Sequence, residues 1–398
     1  MRPLEGRRLF FVGIGGAGLS GYALLADAWG AEVSGWDRYE TPYLEHVRDA
    51  GIPVEIGEQV TAAPAGAETV VSTAFAGQAR GRTRAEFLAE LVSLQDSIVV
   101  SGAHGKTTTA AMVAFVLDRL GRDPSFLIGA DVPQLGGNAR AGSGWLVVEG
   151  DESDRTVEHL RPKIAVVTNV DLDHHSEFRS RAEVEALFER WLAEVPTVVR
   201  GDGLDPYDGE LILPGEHNRR NAAAALAALE LAGFDLEPAA AALATFPGIL
   251  RRQQLVGSRN GARIYDDYAH HPTEVAATLE ALRELEPRRL IAVFQPHLYS
   301  RTKALAGRFG AALAAADEVG VLDVYPAREQ PVGELAGVSG LDVARATADR
   351  AGGRPVWWLR DKEGAERVLA ARLEDGDLLV TIGAGDVFEL AEALAVGT

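Results

Sequence analysis

The 398-residue chain carries 39 lysine and arginine residues against 58 aspartate and glutamate residues, a formal charge of −19, with 47% hydrophobic residues. A field of that sign argues against nucleic acid or an anionic membrane as partner, so any site for an anionic nucleotide must be built from a local cluster. Cysteine is absent, which excludes disulfides, thiolate metal sites and cysteine nucleophiles and fits a reducing compartment, and the length predicts two or three domains.

The first predicted unit opens with a strand over Arg8 to Val12. Gly13, Gly15 and Gly18 follow at the spacing of a dinucleotide-binding turn that opens a helix, with Asp37 closing the next strand. Glycines there let the backbone approach a pyrophosphate at a helix N-terminus. The turn by itself is equally compatible with a nicotinamide-dependent oxidoreductase or with a tight connection that holds no ligand. Arg7, Arg8 and the run Leu9 to Val12 superficially copy a signal peptide. Gly13, Gly15, Gly16, Gly18 and Gly21 interrupt the run, and no stretch of about 18 apolar residues occurs elsewhere. The chain is therefore expected in the cytoplasm and outside the membrane.

The second unit begins with a strand over Ser97 to Val100, continues through Ser101 to Thr109, and enters a helix over Thr108 to Leu120. Gly102, His104, Gly105, Lys106, Thr107 and Thr108 form a shortened phosphate-binding loop, with Val100 where the strict pattern has glycine. Amides of such a turn cradle phosphates, the lysine reaches the terminal ones, and the next hydroxyl meets Mg²⁺. Only four lysines occur in the whole chain, so one at this position is not background. A strand over Trp145 to Val148 then ends in the acidic run Glu149 to Asp154. Beside a phosphate loop, an acid at a strand end suits a hard cation; alone it is equally a solvated turn. A further strand, Ile164 to Val167, runs into Thr168, Asn169, Asp171, Asp173, His174 and His175. Paired histidines near carboxylates suit a transition metal, whereas neighbouring phosphates favour Mg²⁺.

A helix-rich stretch from His217 to Leu243 and a break at Phe246 to Gly248 precede the third unit. Its strands are expected over Ala262 to Tyr265, Leu290 to Phe294, Glu318 to Leu322, Val356 to Leu359 and Asp377 to Ile382, separated by helical patterns, which describes a doubly wound sheet. Seven of the nine histidines lie in short polar segments, so they are not scattered core or surface residues. Segments Asp266 to Glu274 and Phe294 to Thr302 each follow a strand, where ligands of α/β sheets bind. Helix capping by Thr273 or Thr302 accounts for single residues but not for both segments together.

These segments resemble the Mur ligase family. The resemblance is carried by Gly13 to Gly21, Gly102 to Thr109, Glu149 to Asp154, Thr168 to His174, His217 and Asn218 with Asn221, Arg251 and Arg252, Asp266 to Glu274, Phe294 to Thr302, Asp323 to Ala327 and Gly383 to Asp386, in the family's order. It implies an α/β protein of three domains: a Rossmann-like UDP-binding domain over 1–95, a shortened P-loop ATPase-like parallel-sheet domain over 96–247, and a Rossmann-like domain over 248–398. It also implies ATP-dependent amide formation between UDP-N-acetylmuramate and L-alanine through an acyl phosphate, by a monomer or homodimer.

The same resemblance implies residue roles. Lys106 would hold the β- and γ-phosphates of ATP within the 102–108 loop, while Thr107, Glu149 and His174 hold Mg²⁺. Asn218 and Asn221 would reach adenosine, and Arg252 the γ-phosphate. Tyr268, His270, His297 and Arg301 would line the amino-acid and acyl-phosphate site, with His270 and His297 both candidate bases for the amine. Gly13, Gly15, Gly16, Gly18, Ser20 and Asp37 would bind the UDP moiety. The chain departs from the family pattern at Leu298, usually arginine, at Ala103, usually threonine, and at Gln253, where phenylalanine is expected. The stretches 72–84 and 197–213 are short, which predicts fewer peripheral strands in the central domain.

Overall fold

The structure is a computed structural model that describes residues 2–172, 177–327 and 329–396. The chain forms two compact units, Met1–Ile212 with Asn218–Phe246, and Leu213–His217 with Pro247–Thr398. The first unit contains two sheets and the second contains one.

In the first sheet, strands β1 (Arg8–Val12), β2 (Glu32–Asp37), β3 (Val54–Ile56), β4 (Glu68–Val71) and β5 (Arg82–Thr83) lie in the order β3-β2-β1-β4-β5, every pair parallel. The chain leaves β1 toward one edge and returns on its other side. The glycine turn after β1 therefore opens at the topological switch point. Helices α1 (Ala17–Ala28) and α2 (Tyr43–Asp49) cross between the strands, and α3 (Arg84–Ser93) leads from β5 to the next sheet. Thr83 starts α3 by a reciprocal cap, its hydroxyl accepting from Glu86 N at 3.2 Å while Glu86 Oε2 accepts from Thr83 N at 2.8 Å.

The second sheet has strands β6 (Ser97–Ser101), β7 (Ser125–Val132), β8 (Gly137–Arg140), β9 (Leu146–Glu149), β10 (Ile164–Val167) and β11 (Thr197–Arg200) in the order β11-β10-β6-β9-β7-β8. Only β7 with β8 is antiparallel. Its helices are α4 (Lys106–Arg119), α5 (Arg181–Leu192), α6 (Glu216–Leu231) and α7 (Leu236–Leu243). Strand β6 and helix α4 are buried almost throughout, as expected of a central parallel strand and the helix it feeds. One apolar core runs beneath both sheets, including Phe11 edge-on to Phe87 at 5.5 Å. Each such fully buried aromatic contributes about 1.5–3 kcal/mol by leaving water.

The third sheet has strands β12 (Gln254–Arg259), β13 (Ala262–Asp267), β14 (Leu290–Phe294), β15 (Glu318–Leu322), β16 (Val356–Arg360) and β17 (Leu378–Ile382) in the order β12-β13-β17-β14-β15-β16. Helices α8 (Pro272–Arg283), α9 (Tyr299–Leu313), α10 (Gly340–Ala348), α11 (Lys362–Ala370) and α12 (Phe388–Val396) complete the unit. Separate apolar clusters cover the sheet's two faces. The last strand, β17, inserts between β13 and β14, so the two histidine segments follow strands that are consecutive in sequence but not adjacent in the sheet.

The α/β class and the main strands agree with the sequence reading. Helix α4 begins two residues earlier than expected, because Gly105 already takes the left-handed turn that starts it. The pattern missed the polar edge strand β12 and the β7–β8 hairpin, whose strands are interrupted by glycine or short of apolar residues. Among the described residues, no helix is long and apolar enough to cross a membrane.

Candidate active site

In the second sheet β6 lies between β9 and β10, so the residues after all three strands meet at one edge. The loop after β6 is held open by backbone geometry. Gly102 and Gly105 have φ of +128° and +82°, where side chains are strained. A Cβ on Gly102 would crowd Thr168 and lie 2.8 Å from Asn169 O, and one on Gly105 would run into the Asn221 carboxamide. The segment after β10 templates the loop. His104 N donates to Asn169 Oδ1 at 3.0 Å, and His104 O accepts from Asn169 Nδ2 at 2.8 Å and Thr168 Oγ1 at 2.6 Å. Thr168 and Asn169, to which the sequence assigns no role, shape this turn.

Helix α4 starts without a side-chain cap, which leaves its first amides directed at an incoming anion. Lys106 Nζ donates to Gly102 O at 2.6 Å and pairs with the buried Glu152 at 3.1 Å. Burial alone would weaken this ammonium's hold on its proton, but Glu152, Glu149 and Asp151 outweigh it and hold the group above its ordinary value. Asp151 lies below the usual carboxylate range, because hydrogen bonds from Ser153 and the charge of Lys106 outweigh its burial. The neighbouring Thr107 Oγ1 donates to Glu149 Oε1 at 3.0 Å, and Gly129 N donates to Glu149 Oε2 at 2.7 Å. A hydroxyl and a carboxylate side by side are hard oxygen donors of the kind Mg²⁺ takes. His174, the third expected metal ligand, lies outside the described residues. Among those described, no group of three histidines, cysteines or carboxylates forms a metal cluster. Asn218 and Asn221 are both buried on α6, 3.4 Å apart between Oδ1 and Nδ2, with Asn221 against Gly105. Thr108 is buried in the first turn of α4.

The turn of the first sheet has the same strand–glycine–helix form with a different filling. Gly13 has φ +87°, and a Cβ there would lie 2.8 Å from Ser72 and from the Phe75 ring. Gly16 precedes α1, and Ser20 is buried within that helix. Gly15 N donates to Asp37 Oδ2 at 2.7 Å, and Arg38 N donates to Asp37 Oδ1 at 2.7 Å. Asp37, 6% exposed, thus directs both oxygens at main-chain amides. Gly18 packs on the Arg84 guanidinium, where a Cβ would lie 3.3 Å from Nε. Arg84 in turn donates to Tyr22 Oη at 3.3 Å and to Asp154 at 3.4 Å. Sequence reasoning missed Arg84; the available signal was an arginine in the first turn of a helix, where the dipole disfavours it.

In the second unit, β13 and β14 end in the two histidine segments. Tyr268 and His270 lie edge-to-face at 5.5 Å between centroids, and His270 and His297 at 6.4 Å. His270 Nδ1 is 3.1 Å from Tyr268 O and 3.6 Å from Glu274 Oε2. The adjacent His271 is absorbed by structure. Its Nδ1 accepts from Thr273 N at 3.4 Å, and Glu274 accepts from the amides of His270 and His271. Capping of α8 is therefore the work of His271 and Glu274, not of the Thr273 hydroxyl. Burial, reinforced by His270 and Arg301, pushes His297 down to about 4, so its ring is neutral at pH 7.

Arg252 lies over the Tyr268 ring at 5.2 Å and makes no side-chain hydrogen bond among the described residues. Arg251 is fully engaged, donating to Asp266 at 3.1 Å and to Gly383 O at 2.7 Å. Gln253 sits 3.1 Å from the His217 ring and donates its amide to Asp267. Leu298 has φ +70°, with its amide bound to Tyr325 O and its carbonyl to Thr302.

Comparison with known proteins matches the chain to three domains of one family. Residues 8–95 match the Mur ligase family catalytic domain, 100–202 the Mur ligase middle domain, and 251–385 the Mur ligase glutamate ligase domain. A UDP-N-acetylmuramate–L-alanine ligase from Mycolicibacterium vanbaalenii is 40% identical over 97% of this chain and 95% of its own length. That alignment spans 461 positions against 398 residues here, so the relative carries insertions this chain lacks. A UDP-N-acetylmuramate–alanine ligase from Thermotoga maritima superposes with a TM-score of 0.80 at 25% identity, covering 97% of this chain and 98% of that one. A murein peptide ligase from Psychrobacter arcticus shares the fold, with a TM-score of 0.63 at 24% identity over 99% and 100% of the two chains. With all three domains matched in order and relatives aligned over nearly its full length, the chain belongs to the Mur ligase family.

Proposed function

We propose that the chain is an ATP-dependent ligase that forms the amide bond between UDP-N-acetylmuramate and L-alanine, a step in building the peptidoglycan precursor. The observation that carries this reading is the meeting of Lys106, Thr107 and Glu149 at the ends of neighbouring strands, beneath an uncapped helix N-terminus. A carboxylate is a poor electrophile and must gain a leaving group before an amine can attack it. In the proposed cycle the γ-phosphoryl of ATP passes to an oxygen of the muramyl carboxylate, giving an acyl phosphate and ADP. The neutral amine of alanine then attacks the carbonyl carbon, and the tetrahedral intermediate collapses with loss of phosphate. Positioning and charge neutralisation supply most of the acceleration in such chemistry.

The residue assignments follow the same reading. Lys106 holds the β- and γ-phosphates within the loop Gly102, His104, Gly105 and Thr108; Asn218 and Asn221 reach adenosine, and Arg252 the γ-phosphate. Mg²⁺ suits the paired oxygens of Thr107 and Glu149, with His174 as third ligand, and when bound would neutralise phosphate charge. Gly13, Gly15, Gly16, Gly18 and Ser20 form the UDP turn that Asp37 orders. Tyr268, His270, His297 and Arg301 line the amino-acid site. His270 and His297 are the two candidate acceptors of the amine proton, and burial pushes the His297 ring down to about 4, which makes it a weak base at pH 7. The domains assigned are 1–95, 96–247 and 248–398. The test is mass analysis of a reaction containing ATP, Mg²⁺, UDP-N-acetylmuramate and L-alanine. The expected product is UDP-N-acetylmuramoyl-L-alanine; its absence, with the protein folded and ATP bound, overturns the reading.

A further inference from the structure

Two segments have no part in the chemistry above: Asp323 to Ala327 after β15, and Gly383 to Asp386 after β17. Both converge on His297. The backbone of Tyr325 pairs with the residues on either side of that histidine, Tyr325 N donating to Pro296 O at 2.8 Å and Leu298 N to Tyr325 O at 2.9 Å. This places the Tyr325 ring flat against the imidazole, with centroids 5.7 Å apart and planes inclined by 14°. Behind Tyr325 stands Gly385. A Cβ there would lie 2.6 Å from Tyr325 Cγ and would also collide with the Gln295 side chain. Gly385 is not among the residues with positive φ, so close approach of the ring, not backbone conformation, is what requires glycine.

The Gly385 loop is itself fixed. Asp386 accepts from Gln295 Nε2 and from Lys362 Nζ, each at 2.7 Å, and Lys362 also pairs with Glu389. Gly383 N donates to Asp267 O at 3.0 Å. Gln295, buried beside His297, thus ties the loop to the strand that carries the histidine. A backbone backstop, a ring and an imidazole are stacked in series, and each is anchored to a different strand end.

We infer that Tyr325, seated against Gly385, is a positioning residue that fixes the orientation of the His297 ring in the amino-acid site. The inference rests on the ligase reading for its kinetic consequence, but the stacking can be tested without it. A misoriented contact at a reacting centre is costly out of proportion to its displacement. The loss should appear in recognition of the amino acid and not in that of ATP or the UDP-sugar, whose assigned residues lie elsewhere.

The experiment compares Tyr325→Phe, Tyr325→Leu and Gly385→Ala with the parent enzyme. Tyr325→Phe keeps the stacked face and is expected within about twofold in every constant, whereas Tyr325→Leu and Gly385→Ala should raise KM for L-alanine about tenfold with the other two KM values within about twofold. In parallel, proton NMR of the His297 ring reads the stack directly: its resonances, shifted upfield by the ring current, should stay in Tyr325→Phe and relax downfield in Tyr325→Leu. The proposal is overturned if Tyr325→Leu leaves both KM for alanine and the His297 resonances unchanged, or if all three KM values rise together. Loss of all activity in the parent enzyme would sink the ligase reading while leaving the NMR comparison to judge the stack. If Gly385→Ala does not fold, Tyr325→Leu alone decides.

Discussion

The first and second sheets each contain a strand, a glycine turn and a helix, yet opposite charges fill the two turns. After β1 a carboxylate occupies the turn: Asp37 receives the amides of Gly15 and Arg38. After β6 an ammonium occupies it: Lys106 lies against Gly102 O and Glu152. The backbone form is a generic consequence of leaving a parallel strand for a helix. The charge within it decides whether the turn invites a phosphate tail or must meet its ligand through other groups. A glycine pattern alone therefore says little about which phosphates are bound.

The sharpest way to break this contrast is to remove each charge in turn. Lys106→Ala should lower turnover by about a thousandfold or more, since a cation aimed at transferring phosphate is lost. Asp37→Asn should leave kcat nearly unchanged and raise KM for UDP-N-acetylmuramate by roughly tenfold, because a charge-assisted bond that orders the turn is weakened. Steady-state phosphate release measures both, and equal effects of the two substitutions would dissolve the distinction.

Next in size are the glycines. Gly105→Ala and Gly13→Ala both force a side chain into positive φ against a neighbour, at a cost of about 1–3 kcal/mol each. Titration with ATP should separate them: Gly105→Ala loses affinity, while Gly13→Ala retains it.

The second unit extends the contrast to neutral groups. His217 and His297 are both pushed down to about 4, each chiefly by burial. The unfolded chain protonates them near 6.5, so between about pH 6.5 and 4 it binds more protons than the fold, and stability falls as pH drops through that window. Asp267, pushed up to about 6 by burial, opposes this, since it is protonated in the fold while ionised in the unfolded chain between about pH 4 and 6. Melting temperature against pH should flatten in His217→Asn or His297→Asn and steepen in Asp267→Asn. The smallest expected effect is Thr83→Ala, which removes the cap of α3 at about 1 kcal/mol with kinetics unchanged. A kinetic defect there would show that α3, which carries Arg84, is less independent of the site than its contacts indicate.

Much of the site was legible because it lies at strand ends. Short, mostly apolar runs mark the fully buried strands β6, β10, β14 and β17, and polar motifs follow them at once. What stayed hidden depends on contacts distant in sequence. An acid at position 37 reads the same whether its donors are a ligand or the main chain. The insertion of β17 between β13 and β14, which carries Gly385 toward His297, pairs residues 115 and 88 positions apart. Arg84 meets Asp154 across 70 positions, and no local pattern announces it. The left-handed conformation of Leu298 had no signal except that leucine stands where the family usually has arginine.

Phosphate release measured while each component is omitted in turn tests the central claim most directly. Release is predicted only when ATP, Mg²⁺, UDP-N-acetylmuramate and L-alanine are all present. Equal release without the amino acid, or none with all four, would contradict it.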